Sequence, residues 1–389
     1  MNGGRGLRTS FTGYYGMSNF GDDLFGLVCS AAARTYWHSE PRLVGPVIAG
    51  VDARYTMPAW YPRGIYGATG PHGKASRLYS FVRAIRNSDV LVMGGGSVIN
   101  SRESFRKPLM ISAQRKGKIE LAAVGVSIGP FEDDAAEASV AAFVERFAYI
   151  AVRDRRSYEL AVKMGLRDRT FHGRDLAGLL PLLAPATAHA RPARGRDGPI
   201  RIGIAPCDYR EGRDYAVPDK QALQPALAAA LARLAAEQPL QVDIFSLNEH
   251  GTHGDYAISA ALQEQLRQAG IATRLLRYRG QGPLSMVQAI SRCDAFISAR
   301  LHGAIVAYLQ KVPFTIIDYH PKCNDFADDI GLAQAQRITA QRQDVEAFSQ
   351  AIDAMLGASS VPALSPEIYA EQAQDIFKCA PWSVAAETR

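Results

Sequence analysis

The segment DAFISARLHG, residues 294–303, places a short apolar run directly before a turn that carries Arg300 and His302. The run 294–298 predicts a buried strand, and the residues after the turn predict a helix. In open parallel α/β sheets, ligands bind at the carboxyl ends of the strands, where such strand-to-helix turns lie. This segment therefore predicts an α/β fold and marks its own turn as a candidate site.

Similar apolar runs recur along the chain and are separated by longer stretches with helical periodicity. This alternation is typical of parallel sheets covered by helices on both faces. We therefore predict two Rossmann-like domains that face one another across a cleft. The further predicted strands are 89–93, 121–127, 148–152, 200–205, 241–246 and 313–318, and predicted helices cover about 134–147, 155–164 and 221–237, with Asp154 as an N-cap and Gly165 just after a helix end.

The segment 184–199, APATAHARPARGRDGP, contains prolines, glycines and arginines but no periodic apolar face. Such a composition is typical of a linker. We predict an N-terminal domain over 1–185, a linker over 186–199, and a C-terminal domain with a C-terminal helix over 200–389.

Composition narrows the class of protein. The chain has 389 residues, 47% of them hydrophobic, and a formal net charge of +6, which favours acidic partners without selecting one. No zinc-finger or RNA-binding signature and no basic block with interleaved aromatics is recognised, so nucleic acid is not expected. The five cysteines are scattered, which predicts reduced thiols in a cytoplasmic protein. No apolar run is long enough for a signal sequence or a membrane span.

The turn 298–303 offers groups that suit an anionic ligand. A helix that starts there directs backbone N–H groups toward the cleft, and Arg300 can grip a carboxylate or phosphate with two parallel hydrogen bonds. His302 can exchange a proton near neutral pH. Lys322 and His320 follow the next strand and would lie at the rim of the same pocket. The alternative interpretation is a helix start in which these side chains make only structural hydrogen bonds.

The N-terminal domain offers two glycine-containing turns. In 13–23, Gly21 permits close approach of the backbone, while Asn19 and Asp22 can bind sugar hydroxyls or cap the first helix. The turn Gly94, Gly95 and Gly96 suits contact with a ligand, but the chain lacks the spacing of a dinucleotide site or a P-loop. Arg210 or Arg213, just after strand 200–205, could provide another anion contact. The pair His250 and His253 has no obvious third ligand, so no metal site is expected.

Together these segments resemble the polysaccharide pyruvyltransferase family. The resemblance rests on GYYGMSNFGDD (13–23), DVLVMGGGSVIN (89–100), AVGVSIGP (123–130), AYIAVRDRRSYELAVKMGL (148–166), SARLHGAIVAYLQKVPF (298–314) and DYHPKCNDFADDIGL (318–332). It implies a GT-B-like architecture, an N-terminal acceptor side, a C-terminal side for the donor phosphoenolpyruvate, and no cofactor. Arg300, Leu301 and His302 would form the donor site together with Arg210 or Arg213. His302 would be the general acid, and Asp22 is our candidate for the base.

The expected reaction places the pyruvyl group on a sugar of a polysaccharide, or of its lipid-linked repeat unit, as a ketal. A lipid-linked acceptor would imply peripheral contact with the inner membrane face. One alternative is a nucleotide-sugar-dependent GT-B glycosyltransferase, which the absence of Asp and Glu from 303–317 disfavours. Another is a non-catalytic carbohydrate-binding relative that keeps the fold.

Overall fold

The computed structural model describes residues 6–101, 104–183, 198–208, 218–250, 254–357 and 361–384. Two parallel sheets, each connected by helices, form its framework. The first half contains β1 (Arg8–Thr12), α1 (Phe20–Trp37), β2 (Glu40–Val44), β3 (Arg54–Tyr55), α2 (Arg63–Gly67), α3 (Pro71–Arg86), β4 (Val90–Ile99), α4 (Arg106–Arg115), β5 (Glu120–Ile128), α5 (Asp134–Val144), β6 (Tyr149–Val152), α6 (Arg155–Lys163) and β7 (Thr170–His172).

The second half repeats this alternation and ends in two helices. Its elements are β8 (Ile200–Ala205), α7 (Lys220–Glu237), β9 (Leu240–Ser246), α8 (Tyr256–Gln268), β10 (Ala272–Arg277), α9 (Pro283–Ser291), β11 (Ala295–Ser298), α10 (Leu301–Leu309), β12 (Phe314–Ile317), α11 (Pro321–Asp329), β13 (Arg337–Ile338), α12 (Val345–Leu356) and α13 (Pro366–Lys378). Short 3₁₀ helices, among them Leu176–Leu182, occupy some of the connections.

The strand orders are β3-β2-β1-β4-β5-β6-β7 in the first sheet and β10-β9-β8-β11-β12-β13 in the second. The order therefore reverses between β1 and β4 in one sheet and between β8 and β11 in the other. Ligands of open α/β sheets bind in the crevice at such a reversal. The predicted two-domain α/β class is confirmed, and the two reversals fix where a ligand is expected.

Residues close in the chain explain why β5 and α6 form where the sequence predicted them. In β5 every residue after Glu120 is buried, as expected for a central parallel strand covered on both faces. The Asp154 side chain caps α6 by accepting a hydrogen bond from the Ser157 backbone N–H at 2.8 Å, and Gly165 ends that helix with a positive φ of 76°.

One predicted boundary differs from the structure. The run 89–93 was expected to stop at the glycine turn, but β4 continues through the glycines to Ile99. Its neighbour β5 supplies the pairing, with Gly94 opposite Val124 and Gly96 opposite Val126. Gly95 and Gly96 have φ values of 80° and 87°, which only glycine adopts without strain. The strand therefore bends here rather than ending.

The end of the chain packs against the first half. Trp37 Nε1 donates a hydrogen bond to the Phe377 carbonyl at 2.9 Å, and the Tyr149 hydroxyl donates to the Ile376 carbonyl at 2.7 Å. Helix α13 thus ties the two halves together. The linker predicted over 186–199 lies outside the described residues except for its last two positions, and the domain boundaries stay a prediction.

The loop before α1 is bound to the second half across the cleft. Asn19 and Asn248 form an antiparallel bridge. The Phe20 N–H donates to the Leu247 carbonyl at 2.9 Å, and the Tyr278 hydroxyl donates to Asp23 Oδ2 at 2.7 Å. These contacts hold the start of α1 against the second domain. Among the described helices, none combines the length and the hydropathy needed to cross a bilayer.

Candidate active site

A cavity of about 210 Å³ lies between the two halves. It adjoins the places where both strand orders reverse. Its walls come from the start of α1, the bend of β4, the end of β6, and the turns after β11 and β12. The lining residues include Asn19, Gly21, Asp22, Phe25, Gly96, Ser97, Arg153, Arg300, Leu301, His302, Tyr319 and Lys322.

Three helices begin at this cavity. They are α1 at Phe20, α10 at Leu301 and α11 at Pro321. The N-cap residues of the first two, Asn19 and Arg300, make no side-chain cap hydrogen bond. The first N–H groups of a helix lack intrahelical partners and carry the positive end of its dipole. The cavity is therefore suited to an anion before any side-chain charge is counted.

Arg300 is held in place by a buried carboxylate. Its Nε donates to both oxygens of Asp255, and its Nη2 makes a short bond to Asp255 Oδ1. The Asp255 side chain is fully buried, whereas Arg300 is about one-fifth exposed, at 21%. Since one edge of the guanidinium is occupied by Asp255, Nη1 is the nitrogen left to meet a ligand. The paired hydrogen bonds that the sequence analysis expected Arg300 to make with a ligand are made with Asp255 instead.

Arg153 is the second guanidinium at the cavity and was not assigned a role from sequence. Its Nη1 donates to Asp175 Oδ2 at 2.9 Å, its Nε to Ser127 Oγ at 2.8 Å, and its Nη2 to Ser97 Oγ at 3.3 Å. The side chain is nearly buried. Three partners fix its position, so it contributes a rigid positive charge at the carboxyl end of β6.

Lys322 is the third cation. Its ammonium lies over the Tyr319 ring, 5.7 Å from the centroid. Burial lowers the pKa of Lys322, and the nearby Arg153 and Arg300 lower it further. Within the described ranges no carboxylate forms an ion pair with it. Arg300 and Arg153 each have a carboxylate partner, whereas Lys322 lies near Asp22 without forming an ion pair in the described part of the chain.

His302 lies deep in the cavity. Its ring meets Phe25 edge-on, with centroids 4.7 Å apart. Nε2 is 3.9 Å from Asp175 Oδ2 and, in the part of the chain described, has no hydrogen-bond partner. Burial lowers the pKa of His302 to about 4, with Arg153 and Lys322 adding to the effect. The imidazole is therefore neutral at pH 7, and Nε2 is buried beside Asp175.

Asp22 shows the opposite shift. Burial and the neighbouring Asp23 raise its pKa to about 7, although Lys322, Arg153 and Arg300 act against this. Asn19 Nδ2 donates to Asp22 Oδ2 at 2.6 Å. Asn19 thus orients the carboxyl rather than capping the helix. The raised pKa makes Asp22 far more readily protonated near neutral pH than an exposed aspartate.

Most of the residues predicted from sequence meet at this cavity. Asn19, Gly21, Asp22, Gly96, Arg300, Leu301, His302 and Lys322 all line it. Gly94 and Gly95 instead pack beside Tyr15 and Phe25, where a Cβ would overlap the ring atoms or hydroxyl. Arg210 and Arg213 lie outside the described residues, so a donor contact from either stays a prediction.

Sequence reasoning missed Arg153 and Asp255. Arg153 directly follows the predicted strand 148–152. The rule that selected Arg300, a charged side chain just after a parallel strand, could therefore have identified it. Asp255 had no such signal, because it lies 45 residues before Arg300 and no local spacing joins the two.

A sequence model of the polysaccharide pyruvyl transferase family matches residues 19–321. The chain belongs to this family. The match starts at Asn19 and includes Arg153, Arg300 and His302, so the pyruvyl transferase family model spans most of the cavity. The resemblance seen in the sequence is confirmed. No curated protein is significantly similar to this chain in sequence.

Solved structures share the two-domain architecture at very low sequence identity. The UDP-GlcNAc 2-epimerase from Methanocaldococcus jannaschii has a TM-score of 0.57 and 10% identity, with 97% of this chain and 100% of that chain covered. The Neisseria meningitidis UDP-GlcNAc 2-epimerase gives 0.56 and 9%, covering 96% and 98%. HepE from Anabaena, solved with UDP and glucose, gives 0.51 and 13%, covering 98% and 99%. These similarities establish the GT-B-like fold of this pyruvyl transferase family member.

Proposed function

We propose that this protein transfers the pyruvyl group of phosphoenolpyruvate to a sugar as a ketal and releases phosphate. The observation that carries the proposal is the arrangement around His302. A small cavity places one imidazole among three cations, at the starts of three helices. A compact donor with both a carboxylate and a phosphate would bring negative charge close to the cations and to the helix starts at the same time.

The cations would bind the donor in a defined way. Arg300 offers Nη1 while Asp255 holds its other edge. Lys322, which lacks a carboxylate partner among the described residues, would meet the second anionic group. The starts of α1 and α10 would add backbone N–H groups. Positive charge placed in advance around the phosphate stabilises the charge that develops as it leaves.

The proposed chemistry balances without an added reagent. A general acid protonates the methylene carbon of phosphoenolpyruvate, and one sugar hydroxyl attacks the neighbouring carbon. The bond from that carbon to the phosphate oxygen then breaks, and a second hydroxyl closes the ketal. Of the two hydroxyl protons, one returns to the general acid, which gave its proton to the methylene carbon. The other leaves with phosphate. No cofactor or metal is needed for this scheme.

We assign the general acid to His302 and the base to Asp22, and the electrostatics of the cavity constrain this assignment. The pKa of His302 is about 4 and that of Asp22 about 7, so before the donor binds Asp22 holds a proton more readily than His302. A bound donor would offset Arg153, Lys322 and Arg300 and so raise the pKa of His302. The same offset would raise the pKa of Asp22, so Asp22 would act as the base only after its own proton has passed to the donor by way of His302.

The acceptor would be a sugar of a cell-surface polysaccharide or its lipid-linked repeat unit, met at the inner membrane face. A basic region of the first domain supports peripheral contact. Residues 53–88 contain six Lys or Arg and no Asp or Glu, and residues 104–119 contain five and none. Trp60 and Tyr79 in this region are 79% and 57% exposed. Cations with exposed aromatic side chains suit an anionic bilayer surface.

A nucleotide-sugar glycosyltransferase is the second candidate, because HepE was solved with UDP and glucose on a similar fold. Against it, residues 303–317 contain no Asp or Glu after the donor-site turn. The test is phosphate release from phosphoenolpyruvate with lipid-linked or aryl glycosides, with UDP-sugars run in parallel. Turnover of UDP-sugars alone would replace our proposal. We expect His302→Ala to stay folded and lose turnover, and near-normal activity would remove His302 from the mechanism.

A further inference from the structure

A second cavity, of about 230 Å³, lies in the first domain beside the cavity that contains Arg300 and His302, which we call the donor cavity. It is formed at the carboxyl ends of β1 and β4 and at the start of α4. Arg106, Lys107, Thr12 and Ser104 provide polar groups, while Met110 and Phe143 provide apolar surface. Pockets that enclose drug-sized ligands have volumes of about 300–1,000 Å³, so this cavity is smaller than a typical ligand pocket. It suits one sugar unit rather than a long oligosaccharide.

Both cations of this cavity contact only neutral groups in the part of the chain that the structure describes. Arg106 Nη1 donates to Thr12 Oγ1 at 3.3 Å, and its guanidinium lies over the Phe81 ring at 5.7 Å. Lys107 Nζ donates to the Asn100 carbonyl at 3.0 Å. Burial lowers the pKa of Arg106. Both side chains are partly buried, so a ligand that supplies negative charge would offset part of their lost hydration.

We propose that this cavity binds an oxyanion carried by the acceptor sugar, either a carboxylate or a phosphate. Arg106 would provide the directional contact, because a guanidinium makes paired hydrogen bonds to either group. Lys107 would add a second positive charge. Met110 and Phe143, both nearly buried, would form the apolar floor of the cavity. The acceptor is then an acidic or phosphorylated sugar rather than a neutral one.

Ser97 lies between this cavity and the donor cavity. It lines both cavities, and its hydroxyl accepts a hydrogen bond from Arg153 at 3.3 Å. A sugar anchored by its anion at Arg106 could therefore present its hydroxyls past Ser97 to the donor. This inference rests on the proposed function for the identity of the ligand as an acceptor. The anion site itself can be tested without any turnover.

The test is titration calorimetry with three probes, a methyl hexuronoside, a hexose 1-phosphate and the matching uncharged methyl glycoside. We expect Arg106→Gln to weaken binding of at least one anionic probe by about tenfold or more, with the uncharged glycoside unaffected. Which probe responds decides between carboxylate and phosphate. Arg86→Gln, an exposed arginine at the end of α3, is the matched control, and thermal unfolding checks the fold of each variant.

The proposal is overturned if Arg106→Gln binds both anions as tightly as the wild type. It is also overturned if binding is lost only in Arg300→Gln, because the probes would then occupy the donor cavity. Absence of phosphate release from phosphoenolpyruvate would refute the proposed function but leave these binding results unchanged. The two failures are therefore distinguishable.

Discussion

Gly21 and His302 are packed so closely that a Cβ at position 21 would overlap the imidazole, with Nδ1 as the nearest atom. Gly21 belongs to α1 of the first domain, and His302 to α10 of the second. Phe25 meets the same ring edge-on. The position of the histidine is therefore set from across the cleft, and the need for glycine here is steric rather than conformational.

Gly21→Ala is expected to displace His302 and reduce turnover by about 100-fold, since a shift of about 1 Å in a reacting group can cost that much. The measurement is kcat/KM for phosphate release, with thermal unfolding as a check on the fold. Gly64→Ala is the control, because a Cβ there meets no atom within 4 Å. Activity close to wild type in Gly21→Ala would mean that the observed position of His302 is not the one that reacts.

Asp255→Asn is expected to raise the KM for the donor and to destabilise the protein. Asp255 is fully buried and holds Arg300, so the substitution leaves a guanidinium without its counter-charge. Breaking one side of a buried ion pair typically costs about 3–5 kcal/mol. Denaturant unfolding measures the stability, and donor titration measures the KM.

The control for this prediction is Glu159→Gln, which removes an exposed partner of Arg155. Exposed pairs contribute about 0–1 kcal/mol, so little change is expected. An unchanged donor KM in Asp255→Asn would show that Arg300 keeps its position without Asp255, and the role assigned to this carboxylate would be wrong.

Asp22→Asn is expected to stabilise the protein at alkaline pH while impairing turnover. The folded pKa of Asp22 is about 7, against 3.8 for the free side chain. The folded state therefore holds this proton more tightly, and its stability falls as pH rises from about 4 to about 7. At 1.36 kcal/mol per pKa unit, the stability lost through Asp22 between these pH values is at most about 4 kcal/mol. We expect on the order of 2 kcal/mol, because Asp22 is only partly buried and solvent screening reduces such effects.

The measurement is the free energy of unfolding at pH 4 and at pH 8. Asp22→Asn should match the wild type at pH 4 and exceed it at pH 8, whereas Asp52→Asn, which changes an exposed carboxylate, should show no comparable gain. Equal stability of Asp22→Asn and wild type at pH 8 would contradict the raised pKa.

The elements that the sequence predicted are those with strong local signals. The buried run of β5 and the cap formed by Asp154 are decided by residues close in the chain. The turn at Arg300 was found because parallel strands direct their carboxyl ends to one edge. Residues 13–23 were found by a different signal, namely glycine next to side chains that can bind sugar hydroxyls or cap a helix.

What the sequence did not predict depends on contacts between distant residues. Asp255 holds Arg300 from 45 positions away, and α13 packs on the first half through Trp37. The sequence reading also took the positive charge to be dispersed, but residues 53–88 concentrate it next to exposed aromatic side chains. The charges can be counted in the sequence, but only the structure shows which aromatic side chains beside them are exposed.

Charge reversal on α3 is expected to weaken binding to anionic bilayers. Lys74, Arg83 and Arg86 are exposed on this helix, and each cation near an anionic surface contributes about 1 kcal/mol. Lys74→Glu/Arg83→Glu/Arg86→Glu should therefore lower the partition coefficient on phosphatidylglycerol vesicles by tenfold or more in co-sedimentation. Binding to phosphatidylcholine vesicles should be weak for both proteins, and salt should weaken the wild-type interaction.

The charge-matched control reverses three exposed arginines of the second half, in Arg233→Glu/Arg267→Glu/Arg292→Glu. A bilayer that meets the α3 face leaves these positions in water, so this variant should bind vesicles nearly as well as the wild type. Trp60→Ala/Tyr79→Ala separates the apolar contribution from the electrostatic one. Equal loss in both triple variants would show that net charge alone drives the association, and the assignment of this face would fail.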